Sequence, residues 1–103
     1  MAACTARGET EILNAARDPE VVDLARCLER MGARIEGGGT QRLLVEGPTD
    51  WRAAAHHAIP DRIEAGTYAM AAAMTQSTLE LVNARLEHLA VPVEIMERMG
   101  VRI

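Results

Sequence analysis

The chain contains no phenylalanine and no lysine, and its aromatic residues are limited to Trp51 and Tyr68. A core built from Leu, Val, Ile, Ala and Met buries less area per residue than a core with aromatic rings. A chain of 103 residues also hides only about two-thirds of the surface that it exposes when unfolded. We therefore expect the length of one domain, with only marginal stability on its own.

Features of several other protein classes are missing. Acidic residues outnumber basic ones by 15 to 11 without a basic stripe, so nucleic-acid binding has little support. No apolar run approaches the roughly 18 residues of a membrane span, and the start lacks the pattern of a signal peptide. The missing apolar run predicts a protein that does not bind membranes. Two cysteines, Cys4 and Cys27, in a chain without a secretion signal predict reduced thiols and a cytoplasmic location.

The sequence repeats itself at an offset of 69 residues, which later becomes 68. Polar as well as apolar residues match, which is hard to obtain by chance. The matched blocks are Met1–Ala3 with Met70–Ala72, Glu11–Ala15 with Glu80–Ala84, and Glu29–Ile35 with Glu97–Ile103.

The two repeat units begin and stop at different points of the repeating pattern. Met70 lies inside a predicted helix that begins near Asp61, whereas its counterpart Met1 is the first residue. Ile103 corresponds to Ile35, after which the first unit continues into a glycine turn and a strand. We expect a chain cut at both ends relative to its own repeat; a natural short protein with two trimmed units is the alternative.

Helix and strand signals alternate along the chain. Asp18-Pro19 starts a helix and Gly32 ends it, while Asp61 and Glu64 have capping-box spacing at the start of another. Pro92 should either move the start of the last helix to about Ala90 or Val91 or kink the helix. The predicted strands are 10–14, 33–36, 42–46, 55–59, 78–83 and 101–103. The predicted helices run over 18–31, 61–74 and 90–99, after the remainder of a helix at the start of the chain. This order predicts an α/β or α+β fold.

Three strings resemble the enolpyruvyl transferase family, and within it the UDP-N-acetylglucosamine 1-carboxyvinyltransferases. They are Asn14–Ala25, Met31–Ile35 with Gly39-Thr40, and Ile59–Thr67 with its Pro-Asp-Arg-Ile-Glu core. The resemblance covers nearly the whole chain. Trp51–His57 departs from the usual glycine-containing loop and strand, and Pro92 interrupts a helix that is normally continuous.

The resemblance implies an inside-out α/β barrel built from βαβαββ units, of which this chain holds an incomplete part. Residues 1–59 would be the last repeat of one domain without its N-terminal part. Residues 60–103 would be the first part of a repeat of the other domain. The family is about four times longer than this chain.

The resemblance also implies an activity. The family transfers the enolpyruvyl group of phosphoenolpyruvate to the 3′-hydroxyl of UDP-N-acetylglucosamine in peptidoglycan precursor synthesis, without a cofactor. None of its catalytic motifs maps onto this chain, so we expect no catalytic residue here and no activity of this piece alone. A non-catalytic module that binds or self-associates through exposed faces, such as Val21, Leu24 and Leu28, is the alternative, and an enolpyruvylshikimate-phosphate synthase relative ranks below it.

The candidate site residues cluster at two helix starts: Arg17, Asp18, Glu20 and Asp61. Capping of the helices is the favoured interpretation, and a position beside the substrate cleft, which the resemblance implies, stays open. Cys4 and Cys27 are interpreted as structural thiols. His56, His57 and His88 lack the spacing of a metal site, and Gly37–Thr40 is interpreted as a hairpin turn.

Overall fold

The computed structural model describes residues 1–103, which form two compact units, Met1–Ile59 and Pro60–Ile103. The fold is a small α+β arrangement with three α-helices and a three-stranded antiparallel sheet. In chain order the elements are a 3₁₀ helix (Ala2–Thr5), β1 (Glu9–Leu13), α1 (Pro19–Arg30), β2 (Arg34–Glu36), β3 (Arg42–Glu46), α2 (Arg62–Met74), a second 3₁₀ helix (Leu86–His88) and α3 (Ala90–Arg98).

The sheet has the order β1-β3-β2, so the last strand in sequence is the central one. Thr10 lies opposite Val45 in one ladder, and Ile35 lies opposite Val45 in the other. Leu43 and Val45 are buried while Arg42 and Glu46 are exposed, as the period of two in a strand requires. One face of the sheet therefore lies on the core.

Helix α1 follows from its terminal residues and its apolar spacing. Asp18 holds the extended N-cap conformation, Pro19 takes the first helical position, and Ala25 and Leu28 are buried. At the other end Gly32 has a φ of +112°, and the amide of Ala33 donates to the carbonyl of Leu28 at 3.0 Å. A glycine in the left-handed conformation, followed by a hydrogen bond between residues five positions apart, is a Schellman motif. It confirms the predicted end of the helix.

The core of the first unit is small and contains no aromatic ring. It consists of Cys4, Leu28, Ala33, Leu43 and Val45. The expectation that Val21, Leu24 and Leu28 form one exposed face is wrong for Leu28, because the sheet covers that position of α1. Leu24 is exposed and Val21 is half-buried.

The hairpin between β2 and β3 confirms the turn predicted for the glycine run. The amide of Thr40 donates to the carbonyl of Gly37 at 2.9 Å, and the Thr40 hydroxyl donates to the carbonyl of Arg42, also at 2.9 Å. Gly37 has a φ of +85°, and a Cβ there would overlap the Arg42 carbonyl oxygen. Only glycine fits this position of the turn.

The second unit packs two helices around a few buried side chains. Gly66 of α2 lies against Leu89, and a Cβ at Gly66 would come within 3.3 Å of the Leu89 Cδ2 atom. Leu89 and Met96 are buried, whereas Met99 is 78% exposed. The start of α3 at Ala90, two residues before Pro92, is as the sequence predicts.

The backbone preserves the sequence repeat around the matched helices. Asn14 and its counterpart Asn83 both have positive φ, 54° and 65°, as do Gly32 and Gly100, at 112° and 93°. The Schellman hydrogen bond of α1 recurs in α3, where the amide of Val101 donates to the carbonyl of Met96 at 3.0 Å. Residues after β1 and at the end of α1 therefore have structural counterparts in the second unit.

Three predicted strands, 55–59, 78–83 and 101–103, are wrong, since none of these segments forms regular structure. In the first unit both outer strands pair only with β3. Within the 103 residues, the second unit has no strand that corresponds to β3. The backbone of segments 78–83 and 101–103 therefore has no strand to pair with. Segment 55–59 instead places its polar groups against α1.

Candidate functional site

The segment between β1 and α1 forms a fixed turn beside the β2–β3 hairpin. Asn14 has a φ of 54°, and the amide of Ala15 donates to the carbonyl of Gln41 at 2.9 Å. Asp18 then turns into α1, where its carbonyl accepts from the amide of Val21 at 3.0 Å. The positive φ at Asn14 is tolerated because asparagine adopts this conformation at low cost.

An open pocket of about 650 Å³ lies along this turn. Its walls come from the turn itself and from the hairpin that faces it. The lining residues are Asn14, Ala15, Ala16, Arg17, Asp18, Pro19, Gly39 and Gln41. Half of these residues carry amide, guanidinium or carboxylate groups, so the pocket suits a polar ligand.

The four candidate residues do not share this pocket. Arg17 and Asp18 line it, whereas Glu20 lies in the first turn of α1 outside the lining. The N-terminal end of α1 and Arg17 favour an anion, while the carboxylates of Asp18 and Glu20 oppose one. The pocket can bind and orient a polar group, and it lacks a paired nucleophile and base.

Asp61 belongs to the second unit and acts as the N-cap of α2. Its Oδ1 atom accepts from the amides of Ile63 at 2.8 Å and Glu64 at 3.1 Å. This capping is the structural role that the sequence favoured.

We expect Asp61→Ala to destabilise the second unit by about 0.5–2 kcal/mol, because two amide groups of the first helical turn lose their acceptor. Asp61→Asn is the matched control, since an asparagine cap retains the accepting oxygen. Urea unfolding followed by the fluorescence of Tyr68, the only tyrosine, measures both. Equal stability of the Ala and Asn variants would contradict the capping role.

The cysteines and histidines do not assemble into a metal site or a nucleophilic pair. Cys4 is buried in the core, Cys27 is half-buried, and both are free thiols. No group of three or more His, Cys, Asp or Glu side chains could hold a metal ion.

One polar pair was not predicted from the sequence. Nε2 of His56 lies 3.1 Å from Oδ2 of Asp23, and the two side chains are only 13% and 14% exposed. The two atoms are close, although the contact falls short of the geometry of a full hydrogen bond. No sequence motif connects the two residues, because 33 positions separate them and they belong to different elements.

Comparison with known proteins identifies the class. Residues 1–103 match the family described as EPSP synthase (3-phosphoshikimate 1-carboxyvinyltransferase), and the chain belongs to this family. No helix is both long enough and apolar enough to cross a membrane.

Within the family, the chain is similar to the UDP-N-acetylglucosamine 1-carboxyvinyltransferases. It is 66% identical over all of its 103 residues to "UDP-N-acetylglucosamine 1-carboxyvinyltransferase 2" of Mesorhizobium japonicum and covers 25% of that protein. It is 56% identical to the Methylorubrum populi enzyme and 50% identical to the Gluconacetobacter diazotrophicus enzyme, and covers 24% of each. These matches confirm the resemblance inferred from the sequence, and the chain spans about a quarter of the length of these relatives.

Proposed function

We propose that this chain is part of an enzyme that transfers the enolpyruvyl group of phosphoenolpyruvate to UDP-N-acetylglucosamine. The observation that carries the proposal is the 66% identity to a carboxyvinyltransferase over every residue of the chain. The two substrates are those of the whole enzyme, which acts in peptidoglycan precursor synthesis in the cytoplasm. The free thiols Cys4 and Cys27 are compatible with that compartment.

We further propose that the chain contributes to two domains of an inside-out α/β barrel. Residues 1–59 form the last repeat of one domain and residues 60–103 the first part of a repeat of the other. The boundary between the compact units, after Ile59, supports this division. The paired left-handed residues Asn14 and Asn83, and Gly32 and Gly100, support the repeat.

The proposed role of the turn pocket is to line the substrate cleft. Arg17 supplies a positive charge there, and Asp18, Glu20 and Asp61 supply carboxylates near helix starts. Because the pocket has no nucleophile paired with a base, Arg17 and Asp18 bind or orient substrate there and do not carry the chemistry. For Glu20 and Asp61, which lie outside the pocket, the position beside the cleft rests on the family resemblance. The chain alone is then inactive.

A chimera tests the proposal directly. The matching quarter of the Mesorhizobium japonicum relative is replaced by these 103 residues, and phosphate release from phosphoenolpyruvate is measured with UDP-N-acetylglucosamine. We expect activity from the chimera and none from the isolated chain. A folded chimera that uses shikimate 3-phosphate instead, or activity of the isolated chain, would refute the proposal.

The same chimera tests the cleft residues. We expect Arg17→Ala to raise the KM of one substrate by about tenfold with little change in kcat, as the loss of a binding charge should. Arg7→Ala is the matched control, because Arg7 is exposed and lies outside the pocket. Equal KM values for the two variants would refute the proposal that Arg17 lines the substrate cleft.

Self-association is the second candidate function, and one surface favours it. Val91, Ile95 and Met99 follow one another at four-residue spacing along α3 and its end, and are 66%, 51% and 78% exposed. A row of apolar side chains of this kind is typical of an interface. Sedimentation of the isolated chain tests it: a monomer at high concentration, unchanged by Ile95→Glu, excludes this function.

A further inference from the structure

The last nine residues of the first unit, 51–59, run along α1 without regular structure. We call them the strap. Only His56 and Ile59 are half-buried, and the other strap residues are exposed. No strap residue belongs to the apolar core of the unit, so polar contacts with α1 hold the strap in place.

The strap is attached at its start to the end of α1. The amide of Arg52 donates to the carbonyl of Met31 at 3.1 Å, and its Nε donates to the carbonyl of Arg30 at 3.0 Å. Carbonyl groups at the end of a helix lack partners within the helix, so this attachment satisfies groups that otherwise face water.

A second attachment lies near the end of the strap and centres on Asp23. Its Oδ2 atom lies 3.1 Å from Nε2 of His56 and accepts from the amide of Ile59 at 3.4 Å. Arg30 adds a guanidinium that donates to the carbonyl of Ala55 at 3.3 Å and lies 3.4 Å from Nδ1 of His56.

The imidazole of His56 thus lies between a carboxylate and a guanidinium. Nε2 faces the Asp23 carboxylate and Nδ1 faces the Arg30 guanidinium, so one ring joins the strap to two side chains of α1. The low exposure of His56 and Asp23 strengthens their interaction over that of a surface pair.

We propose that Asp23 fastens a releasable strap, so that loss of its contacts with His56 and Ile59 frees residues 53–59 while the sheet and α1 stay folded. The two hydrogen bonds of Arg52 do not involve Asp23 and mark where release stops, whereas the contacts of Arg30 with Ala55 and His56 open together with those of Asp23. Seven freed residues add roughly 20 Å of flexible chain at the boundary between the two units. The strap therefore sets how much free chain joins them.

The composition of the strap explains why it can open by itself. A segment with few buried apolar groups and exposed backbone opens locally at low free-energy cost. The core residues Leu28, Leu43 and Val45 make the unit cooperative, and none of them depends on the strap. Opening of residues 53–59 and unfolding of the unit are thus separate events.

The charge of Asp23 makes the attachment sensitive to acid. His56 lowers the pKa of the Asp23 carboxyl below its ordinary value of 3.8, with help from the Ile59 amide and Arg26, against the opposing effect of burial. A carboxyl whose pKa is lower in the fastened state stabilises that state above its ordinary pKa. This stabilisation is lost as pH falls through the lowered value.

Backbone relaxation measurements on the 103-residue chain test the proposal with two pairs of variants. Asp23→Ala is compared with Glu29→Ala, an exposed acid on the same helix, and His56→Ala with its exposed neighbour His57→Ala. We expect order parameters of residues 53–59 to fall from about 0.85 to below about 0.6 in the first member of each pair only. The amides of Arg52 and β3 should stay rigid.

Three results would overturn the proposal. Residues 53–59 could stay rigid in Asp23→Ala and His56→Ala, the control variants could loosen them equally, or the loosening could extend through Arg52 into β3. A double variant that loosens the strap further than either single one would also contradict a common fastening point. Acid titration of the unmodified chain is a second measurement: release must follow protonation of Asp23 below pH 3.8, with β3 still protected from exchange.

Discussion

Replacement of Gly47 by alanine should destabilise the first unit by about 3 kcal/mol, because the added methyl group has no space. Gly47 directly follows β3, and a Cβ there would overlap the carbonyl oxygen of Cys4. The added Cβ is fixed to the backbone of residue 47, and the Cys4 carbonyl is itself backbone, so no flexible side chain can move aside. The 3₁₀ helix at Ala2–Thr5 must shift, which also pulls Cys4 out of the core.

The size of this effect matters because a unit of 59 residues has an ordinary stability of roughly 3–9 kcal/mol. Urea unfolding followed by the fluorescence of Trp51, the only tryptophan, measures it. Gly38→Ala is the matched control, since a Cβ at Gly38 meets nothing closer than 4.0 Å. Equal midpoints for Gly47→Ala and Gly38→Ala would show that the close approach to Cys4 does not constrain the fold.

Leu28→Ala should cost the first unit about 2–5 kcal/mol, because it opens a cavity in a core of only five buried residues. Leu28 is 9% exposed and packs between α1 and the sheet. The core contains no aromatic ring that could move into the space. The same substitution at a well-packed site of a larger protein would leave a folded protein, whereas here it removes much of the stability.

Leu24→Ala provides the comparison, since Leu24 lies one turn earlier on α1 and is 39% exposed. We expect a change below about 1 kcal/mol for Leu24→Ala, without a change in the slope of the urea transition. Similar losses for both variants would mean that α1 presents a different face to the sheet. This pair also tests the correction that Leu28, expected to be exposed, belongs to the core.

Elements with local signals could be predicted from the sequence. Asp18-Pro19, Gly32 and Asp61 mark helix ends through their own backbone and side-chain preferences, and the structure has helices where these residues place them. Strand β3 was predictable because the apolar run Leu43–Val45 lies between charged residues just after a glycine turn. These signals need no knowledge of distant parts of the chain.

Features that depend on a partner could not be predicted in the same way. Segments 78–83 and 101–103 have strand-like sequences, but a strand exists only where another strand accepts its hydrogen bonds. The Asp23–His56 contact likewise joins residues that no motif connects. For the candidate site, the sequence located the two helix starts and the family, whereas the pocket beside Arg17 depends on the hairpin that folds across it.

The position of β3 in the middle of the sheet has a consequence for synthesis of the chain. Of the three strands, β1 leaves the ribosome first, yet its only neighbour in the sheet, β3, is made after α1 and β2. At about 5–20 residues per second, roughly 1.5 to 6 seconds separate the completion of Leu13 from that of Arg42, its partner in the ladder. During that interval the backbone of Ile12 and Leu13 has no strand partner, so this is the stage at which chaperone binding would protect β1 most.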